Sequence, residues 1–525
     1  MKVKALSRPS STTQRTSIHD LRQTHRNLDP ASHPLPRARE YTRAVTAAKL
    51  DRMFANPFVG ELTPGHVDAV NVLGVCRTNL CPVVSGGVDG TLRIWDLQNR
   101  RMVKSLEAHS RAVSGVVFGN GVEGFFYSCG EEGLIKGWCC FPRNMSISAA
   151  SDSDESDSSS DEADDHDHDK KPKAERNNSR QKGRHINKQL SATNQIEEES
   201  PYGPTNTYRL PVGKNAYSNA FHSIDHHWSI NQFATASSDA SVCLWDPTRS
   251  SPITTFTNLW GSDDTVTTVR YNPAERDLLA HCSNDRGIGL HDTRTASALQ
   301  KTIMSMKCNC LEWNPMEPYM FAVGNEDYNA YTFDMRKLSR PTKIFKGHVA
   351  AVISVGWSPT GTEFATGSYD KTLRIFSVRN EGGTAAHVGS NSTGVARDIY
   401  HTKRMQRIFS VAYTLDHKYI LSGSDDTNIR LWKARSSEKV GQLSAREETS
   451  LQYRQALVQK YVHLPEVKRI AKSRRVPKFI KKETEMARVQ KEKRRRKEGN
   501  VVKHSKPGTK GFTDEKAKAV VKTID

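Results

Sequence analysis

The residues in this sequence best equipped for chemistry are a histidine, a hydroxyl and an acid that return at a fixed spacing. His66, Ser85 and Asp89 precede Trp95, and on paper they form a hydrolytic triad, with an imidazole between a carboxylate and a hydroxyl. The set recurs, however. His109 stands 29 residues before Trp138 and His348 stands 28 before Phe376, against 29 from His66 to Trp95. A group that repeats with the chain and lacks the context of a nucleophile elbow reads as a structural hydrogen-bonded chain. Phe376 cannot donate the indole bond, and Glu132 is one methylene longer than Asp, so those two copies are expected to be pinned less tightly. No glycine-rich phosphate loop or ligand set with metal spacing occurs, so the sequence predicts no catalytic residue, no metal and no cofactor.

The thiols fit that reading. Cysteines 76, 81, 129, 139, 140, 243, 282, 308 and 310 include no C-x-x-C pair, and most lie in apolar, strand-like runs. They are expected to be reduced and buried rather than bridged. Cys308 and Cys310 would share one strand face, still short of a ligand set.

The element that positions these groups is an internal repeat. Seven similar endings occur: LRIWD (92–96), IKGWC (135–139), VCLWD (242–246), IGLHD (288–292), AYTFD (330–334), LRIFS (373–377) and IRLWK (429–433). Five of the six gaps between their aromatic or His positions run from 42 to 56 residues, and the sixth is 107. That period belongs to a WD40 blade. Six residues before each aromatic or His stands an acid, Asp89, Glu132, Asp239, Asp285, Asp327, Asp370 or Asp426, expected to fix a tight turn by accepting backbone N–H bonds. Seven repeats predict an all-β, seven-bladed WD40 propeller. Two stretches could supply the strand that closes the ring, 58–62 and 439–443, and the N-terminal one is the expected choice.

The domain plan is then a basic, extended N-terminal arm (1–56), a propeller (57–443) and a basic helical C-terminal domain (444–525). An insertion at about 146–200 falls between blades two and three; within it, residues 151–169 hold ten acids and six serines, a composition that cannot bury a core and predicts disorder. A polar stretch at 380–395 lengthens the loop before blade seven. Mean hydropathy is −0.65, no apolar run reaches membrane-span length, and the N-terminus lacks a signal-peptide stretch, so an intracellular protein is expected.

Charge is concentrated at the ends. Of the formal +19, residues 446–525 hold 24 Lys/Arg against 10 Asp/Glu, and residues 1–60 hold 11 against 4. Ser444 and Glu447 fit a capping box that opens a helix reaching to about 463, with Leu451, Leu457, Val458 and Tyr461 on one side. Beyond Pro465 and Pro477, basic residues alternate with Val467, Ile470, Val476, Phe479 and Ile480. The candidates for RNA or ribonucleoprotein contact are Lys468, Arg469 and Lys472; Arg474, Arg475, Lys478, Lys481 and Lys482; Arg494, Arg495, Arg496 and Lys497; and Lys503 with Lys506. The string at 493–497 also suits nuclear localisation.

Motifs outside the repeats carry a family resemblance. MKVKALSR (1–8), RNLDP, REYTRA (39–44), KLDRMFANPF (49–58), IDHHW (224–228), WNPMEP (313–318), NEDYNAYTFDMR (325–336), YHTKRMQ (400–406), HLPEVKRIAK (463–472), RRRKEGN (494–500) and HSKPG (504–508) make the chain closely similar to the SOF-domain WD-repeat proteins of the U3 small nucleolar ribonucleoprotein. The resemblance implies a non-catalytic scaffold of the small-subunit processome in the nucleolus. It would act with precursor rRNA and processome proteins toward 18S rRNA and the 40S subunit, without a membrane or small-molecule substrate. The acidic insertion departs from the family pattern. Animal members also resemble substrate receptors of cullin-4 ubiquitin ligases, through Asp-x-Arg at a blade end. Asp292 with Arg294 and Asp334 with Arg336 fit that ligase-adaptor motif here, although His291 and Phe333 replace its usual Trp and a local ion pair would explain the same residues.

Overall fold

The computed structural model describes residues 35–120, 124–140, 204–210, 219–257, 264–295, 298–378, 393–506 and 515–524. The acidic block, residues 1–34 and most of the polar stretch 380–395 lie outside the described residues.

Seven sheets of antiparallel blade strands form the ring, and Thr393–Val395 adds a fifth strand, parallel to Lys343–Lys346, to the sheet of blade five. Blade one consists of Val70–Val75, Val83–Gly87, Thr91–Asp96 and Arg101–Glu107. Blades two to six span 113–209, 221–256, 266–304, 308–346 and 352–400. Blade seven takes three strands from 408–433 and its fourth from Phe58–Leu62, which pairs antiparallel with Ile429–Lys433. The closing strand is therefore the N-terminal one. Residues 439–443 form no strand.

Alternation along the strands gives each blade two apolar faces. Among the described residues, seven buried apolar clusters each join one pair of neighbouring blades. The cluster that closes the ring packs Val70, Val83 and Trp95 of blade one against Leu62, Leu421, Ile429 and Leu431 of blade seven. Each blade thus depends on its neighbours for half its core.

The acidic turns show why the sequence period is so regular. The residue after each acid has a left-handed backbone: Gly90, Gly133, Ala240, Arg286, Tyr328, Lys371 and Thr427, with φ between 63° and 80°. Five of these are not glycine, and each such residue costs ~1–2 kcal/mol. A charge-assisted hydrogen bond is worth ~1.5–3 kcal/mol, enough to offset that cost. Asp89, Asp239, Asp285, Asp327 and Asp370 accept the N–H of the residue two positions on, at 2.8–3.1 Å. Glu132 instead accepts from Ser110 N at 2.9 Å, and Asp426 from Ser424 and Arg430.

Blade one contains the full chain. His66 Nε2 lies 2.6 Å from Ser85 Oγ, which also accepts from Trp95 Nε1 at 2.7 Å. Ser85 is wholly buried and its hydroxyl is occupied, so this is a pin and not a nucleophile. Blade two repeats it with His109, Ser128 and Trp138. The expectation that Glu132 pins loosely is corrected: it reaches His109 Nδ1 at 2.7 Å, where Asp89 stays 3.5 Å from His66. The extra methylene closes the gap. In blade six His348 is held by Thr366 at 2.7 Å and Asp370 at 2.8 Å, without an indole.

Blade four departs further. His281 and His291 occupy the hydroxyl and indole positions, their ring centroids 4.8 Å apart. His281 pairs across the sheet with Gly289, where a Cβ would fall 2.2 Å from its ring. His281 Nδ1 and both nitrogens of His291 are buried without a hydrogen-bond partner. Burial pushes His281 down to about 3 and His291 down to about 4, from an ordinary 6.5. Because both folded values lie below the unfolded one, the unfolded chain takes up protons first as pH falls. Their contribution is complete above pH 6.5 and is lost on descent toward about 4 for His291 and about 3 for His281. Replacing the pair by the Ser and Trp of the other blades, His281→Ser with His291→Trp, should lower the proton uptake on unfolding between those pH values by about two. Unfolding midpoints measured across that range check it, and an unchanged pH slope would refute the assignment.

Candidate nucleic-acid interface

The tail does not stand apart from the ring. Residues 36–53 of the N-terminal arm, expected to be extended, form a helix, α1 (Pro36–Met53), with proline in its first turn. The sequence from Arg37 to Met53 has no glycine or proline, and it places Ala44, Ala47 and Ala48 on a buried side. That small-residue face admits close approach by α2 (Ala445–Lys460) and α3 (Pro465–Lys472). Ala44, Ala48, Leu457 and Val467 are the buried centre, with Tyr41, Val458, Tyr461 and Ile470 around them. Ser444 caps α2 through Glu447 N at 3.4 Å, and the Glu447 carboxylate returns to the Ser444 backbone. Tyr41 Oη donates to Glu466 at 2.7 Å, and Glu40 accepts from Lys460 and Tyr461 at 2.7 and 2.8 Å.

Asp398 ties this bundle to the ring. Its side chain is 8% exposed, and Arg52 of α1 meets it at 3.0 Å, with Arg397 and Arg474 each at 3.4 Å. Arg474 also donates to the Arg397 and Ala471 carbonyls. Desolvation draws its guanidinium down to about 10. Arg474, expected among the RNA contacts, is thus a buried anchor.

From there α4 (Lys478–His504) extends for 27 residues, about 40 Å at 1.5 Å per residue. Ile480 is its buried residue. Farther along, Lys491 pairs with Glu515 at 2.7 Å and Glu498 with Lys518 at 2.8 Å. Glu515 belongs to the short α5 (Glu515–Ala519) and also pairs with Lys346 of blade five. Last comes Val520–Ile524, an outer fifth strand of blade four that pairs antiparallel with Ala298–Met304. The tail therefore runs from blade seven past blades six and five to blade four.

The expected RNA contacts fall along this path. Lys468, Arg469, Lys472, Arg475, Lys478, Lys481 and Lys482 are exposed on α3 and the start of α4. Arg494, Arg495, Arg496, Lys497 and Lys503 are exposed on α4, and Lys506 follows it. Thirteen of the fourteen thus face solvent. Reasoning from sequence missed Asp398 and Arg52, for which no local pattern exists. It also missed the last strand, although Val520, Val521, Thr523 and Ile524 form a β-branched run.

The two Asp-x-Arg turns have one geometry. Arg294 donates from Nε and Nη2 to Asp292 at 3.2 and 3.0 Å, and Arg336 likewise to Asp334 at 2.9 and 2.7 Å. Both side chains remain exposed, at 71% and 64%, and Arg336 lies 4.6 Å from the Tyr319 ring. Among the described residues no helix is long and apolar enough to cross a membrane, and no group of three or more His, Cys, Asp or Glu is placed to hold a metal.

Comparison with known proteins follows the same division. A Sof1-like domain matches residues 434–520, the stretch built into α2 to Val520, and WD-domain G-beta repeats match 58–96, 339–377 and 399–433. Protein SOF1 of Saccharomyces cerevisiae is 35% identical over 534 residues, covering all of this chain and 95% of its own. The chain belongs to the SOF-domain WD-repeat family. Relatives named DDB1- and CUL4-associated factor 13, from Danio rerio and Homo sapiens, are each 39% identical across the full length of both chains. The similarity spans both the ring and the tail.

The Asp398 anchor makes a direct prediction. Asp398→Ala leaves Arg52 and the largely buried Arg474 without their carboxylate, while Arg397 keeps Glu363 at 3.1 Å, and should cost ~3 kcal/mol. Hydrogen exchange should rise together in 36–53 and 465–472 while blade two keeps its protection. Independent behaviour of the two segments would show that Asp398 does not join them.

Proposed function

We propose that this chain is a non-catalytic scaffold of the U3 small nucleolar ribonucleoprotein and small-subunit processome, acting in the nucleolus on precursor rRNA toward 18S rRNA and the 40S subunit. The observation that carries this reading is the exposed cationic run on α3 and α4, fastened to a rigid ring at both ends. A propeller supplies a platform for proteins, and a rail of Lys and Arg supplies phosphate contacts. Membership of the Sof1-like family supports a role in ribosome biogenesis, and the ring with its structural His-Ser-Trp pins supports a scaffold rather than a catalyst.

The structure changes how this is best tested. Deleting 446–525 would strip α1 of its packing and bare the edge of blade four, so point substitutions are cleaner. Arg494→Ala, Arg495→Ala, Arg496→Ala and Lys497→Ala together should flatten the dependence of log affinity on log salt by about three, at ~0.7 per single-strand phosphate contact. Anisotropy with a precursor-rRNA fragment between about 50 and 200 mM salt measures it. An unaltered slope would remove the RNA part of the proposal.

A second reading is favoured by the paired Asp-x-Arg turns, together with relatives whose name associates them with DDB1 and CUL4: substrate receptor of a cullin-4 ubiquitin ligase. Both arginines are exposed, so Arg294→Ala with Arg336→Ala should leave the thermal midpoint as in the parent chain. The same pair of changes should abolish binding to DDB1 in a pull-down with purified components while RNA affinity is kept. Retained DDB1 binding would count against this role.

A further inference from the structure

The RNA reading uses the cations of α4 and leaves its exposed apolar residues without a purpose. Phe479 is 66% exposed, Met486 52% and Val489 55%, on a helix that otherwise carries mostly charge. Their direction is fixed by what the opposite side does. At 100° per residue, Ile480, Lys491 and Glu498 fall within about 20° of one line. All three are held: Ile480 is buried, Lys491 pairs with Glu515, and Glu498 pairs with Lys518. Val489 lies about 180° from that line, and Met486 and Phe479 lie about 100–120° from it on one flank. The helix cannot roll to hide them without breaking both ion pairs. The stripe therefore faces outward because of the anchoring.

We propose that this stripe is a docking edge for a second protein, which receives Phe479, Met486 and Val489 in an apolar groove with an acidic rim. This goes beyond the RNA reading, which shares Lys478, Lys481 and Lys482 with it but is tested at Arg494, Arg495, Arg496 and Lys497 farther along the helix. Charge selects the occupant. Around the stripe stand Lys478, Lys481, Lys482, Arg488 and Lys493, against Glu483, Glu485 and Glu492, and Glu492 lies 3.9 Å from Arg488. The rim of the stripe is thus positive, and a groove edged with carboxylates complements it. A second copy of this chain would bring two positive helices together, which is unfavourable. Phe479 has a ring on which a base can stack, but Met486 and Val489 have none and carry no charge for phosphate, so the stripe as a whole fits a protein groove better than RNA. Phe479, Met486 and Val489 keep the i, i+7 and i+10 places of a groove-binding helix face, with Lys482 and Glu483 at i+3 and i+4.

The experiment uses the full chain in the cells that make it, with a photo-reactive benzoylphenylalanine in place of Val489. The expected product is a covalent adduct to one polypeptide, joined at a segment whose apolar residues are flanked by Asp or Glu. Met486→Gln with Val489→Gln should weaken association with that purified polypeptide by about tenfold or more. The thermal midpoint and the salt slope of RNA binding should stay as in the parent chain. Lys481→Glu with Lys482→Glu should weaken it likewise, and acid-to-lysine changes in the partner segment should restore it. An adduct to RNA, an adduct to a second copy of this chain, no adduct, or full-strength binding by the glutamine variant would each overturn the proposal. None of those outcomes bears on the cations at 494–497, so the two proposals fail separately.

Discussion

Everything in this molecule depends on one pairing, that of Phe58–Leu62 with Ile429–Lys433. It closes the ring, and it does so with the two ends of the propeller sequence. The closing strand enters immediately after α1, and the last blade strand leads into α2, so the two flanking segments meet at one place. A bundle of α1, α2 and α3 follows from that proximity. A ring closed within its own C-terminal sequence would have left the N-terminal segment without these neighbours. The arm and the tail, remote in sequence, become one packed unit through a strand that belongs to neither.

The ring and the tail then stabilise each other. Asp398 lies on the outer strand of blade six, yet its partners come from α1 and from the segment between α3 and α4. A buried carboxylate among three arginines is costly unless all of the charge is satisfied, so the node holds only when both flanking segments are present. At the far end, Val520–Ile524 covers an outer strand edge that would otherwise invite pairing with another chain. Between these anchors α4 is fixed in position and rotation but little buried. That combination separates the two tasks assigned to the helix: its inner line attaches, and its outer side is left for partners.

What could be read from the sequence was whatever repeats or is local. The seven acids announced the propeller because a tight turn demands an acceptor at one offset, and the structure adds the reason: the next residue is left-handed at every one of them. Ser444 and Glu447 disclosed the start of α2 because a helix cap is a matter of four residues. Asp398 could not be read, since its worth comes from Arg52 and Arg474, 346 and 76 positions away. Arg474 was misassigned for the same reason. In sequence it is one basic residue among many, and only burial against Asp398 separates it from Arg475 beside it. The helix in the N-terminal arm was missed because its alanine face has no meaning until α2 and α3 supply the opposing side chains.

The closing strand also sets a timetable. Leu62 leaves the ribosome some 370 residues before Lys433 does, and at 5–20 residues per second that is an interval of about 20 to 75 s. Throughout it, the strand and the apolar face beside it have no partner, and α1 has nothing to pack on. The strand Val520–Ile524 adds a later condition: the far anchor of α4 is made only after those residues have been synthesised. A nascent chain cut short anywhere before residue 520 lacks that anchor. The architecture thus makes the fastening of the partner surface wait on the synthesis of Val520–Ile524.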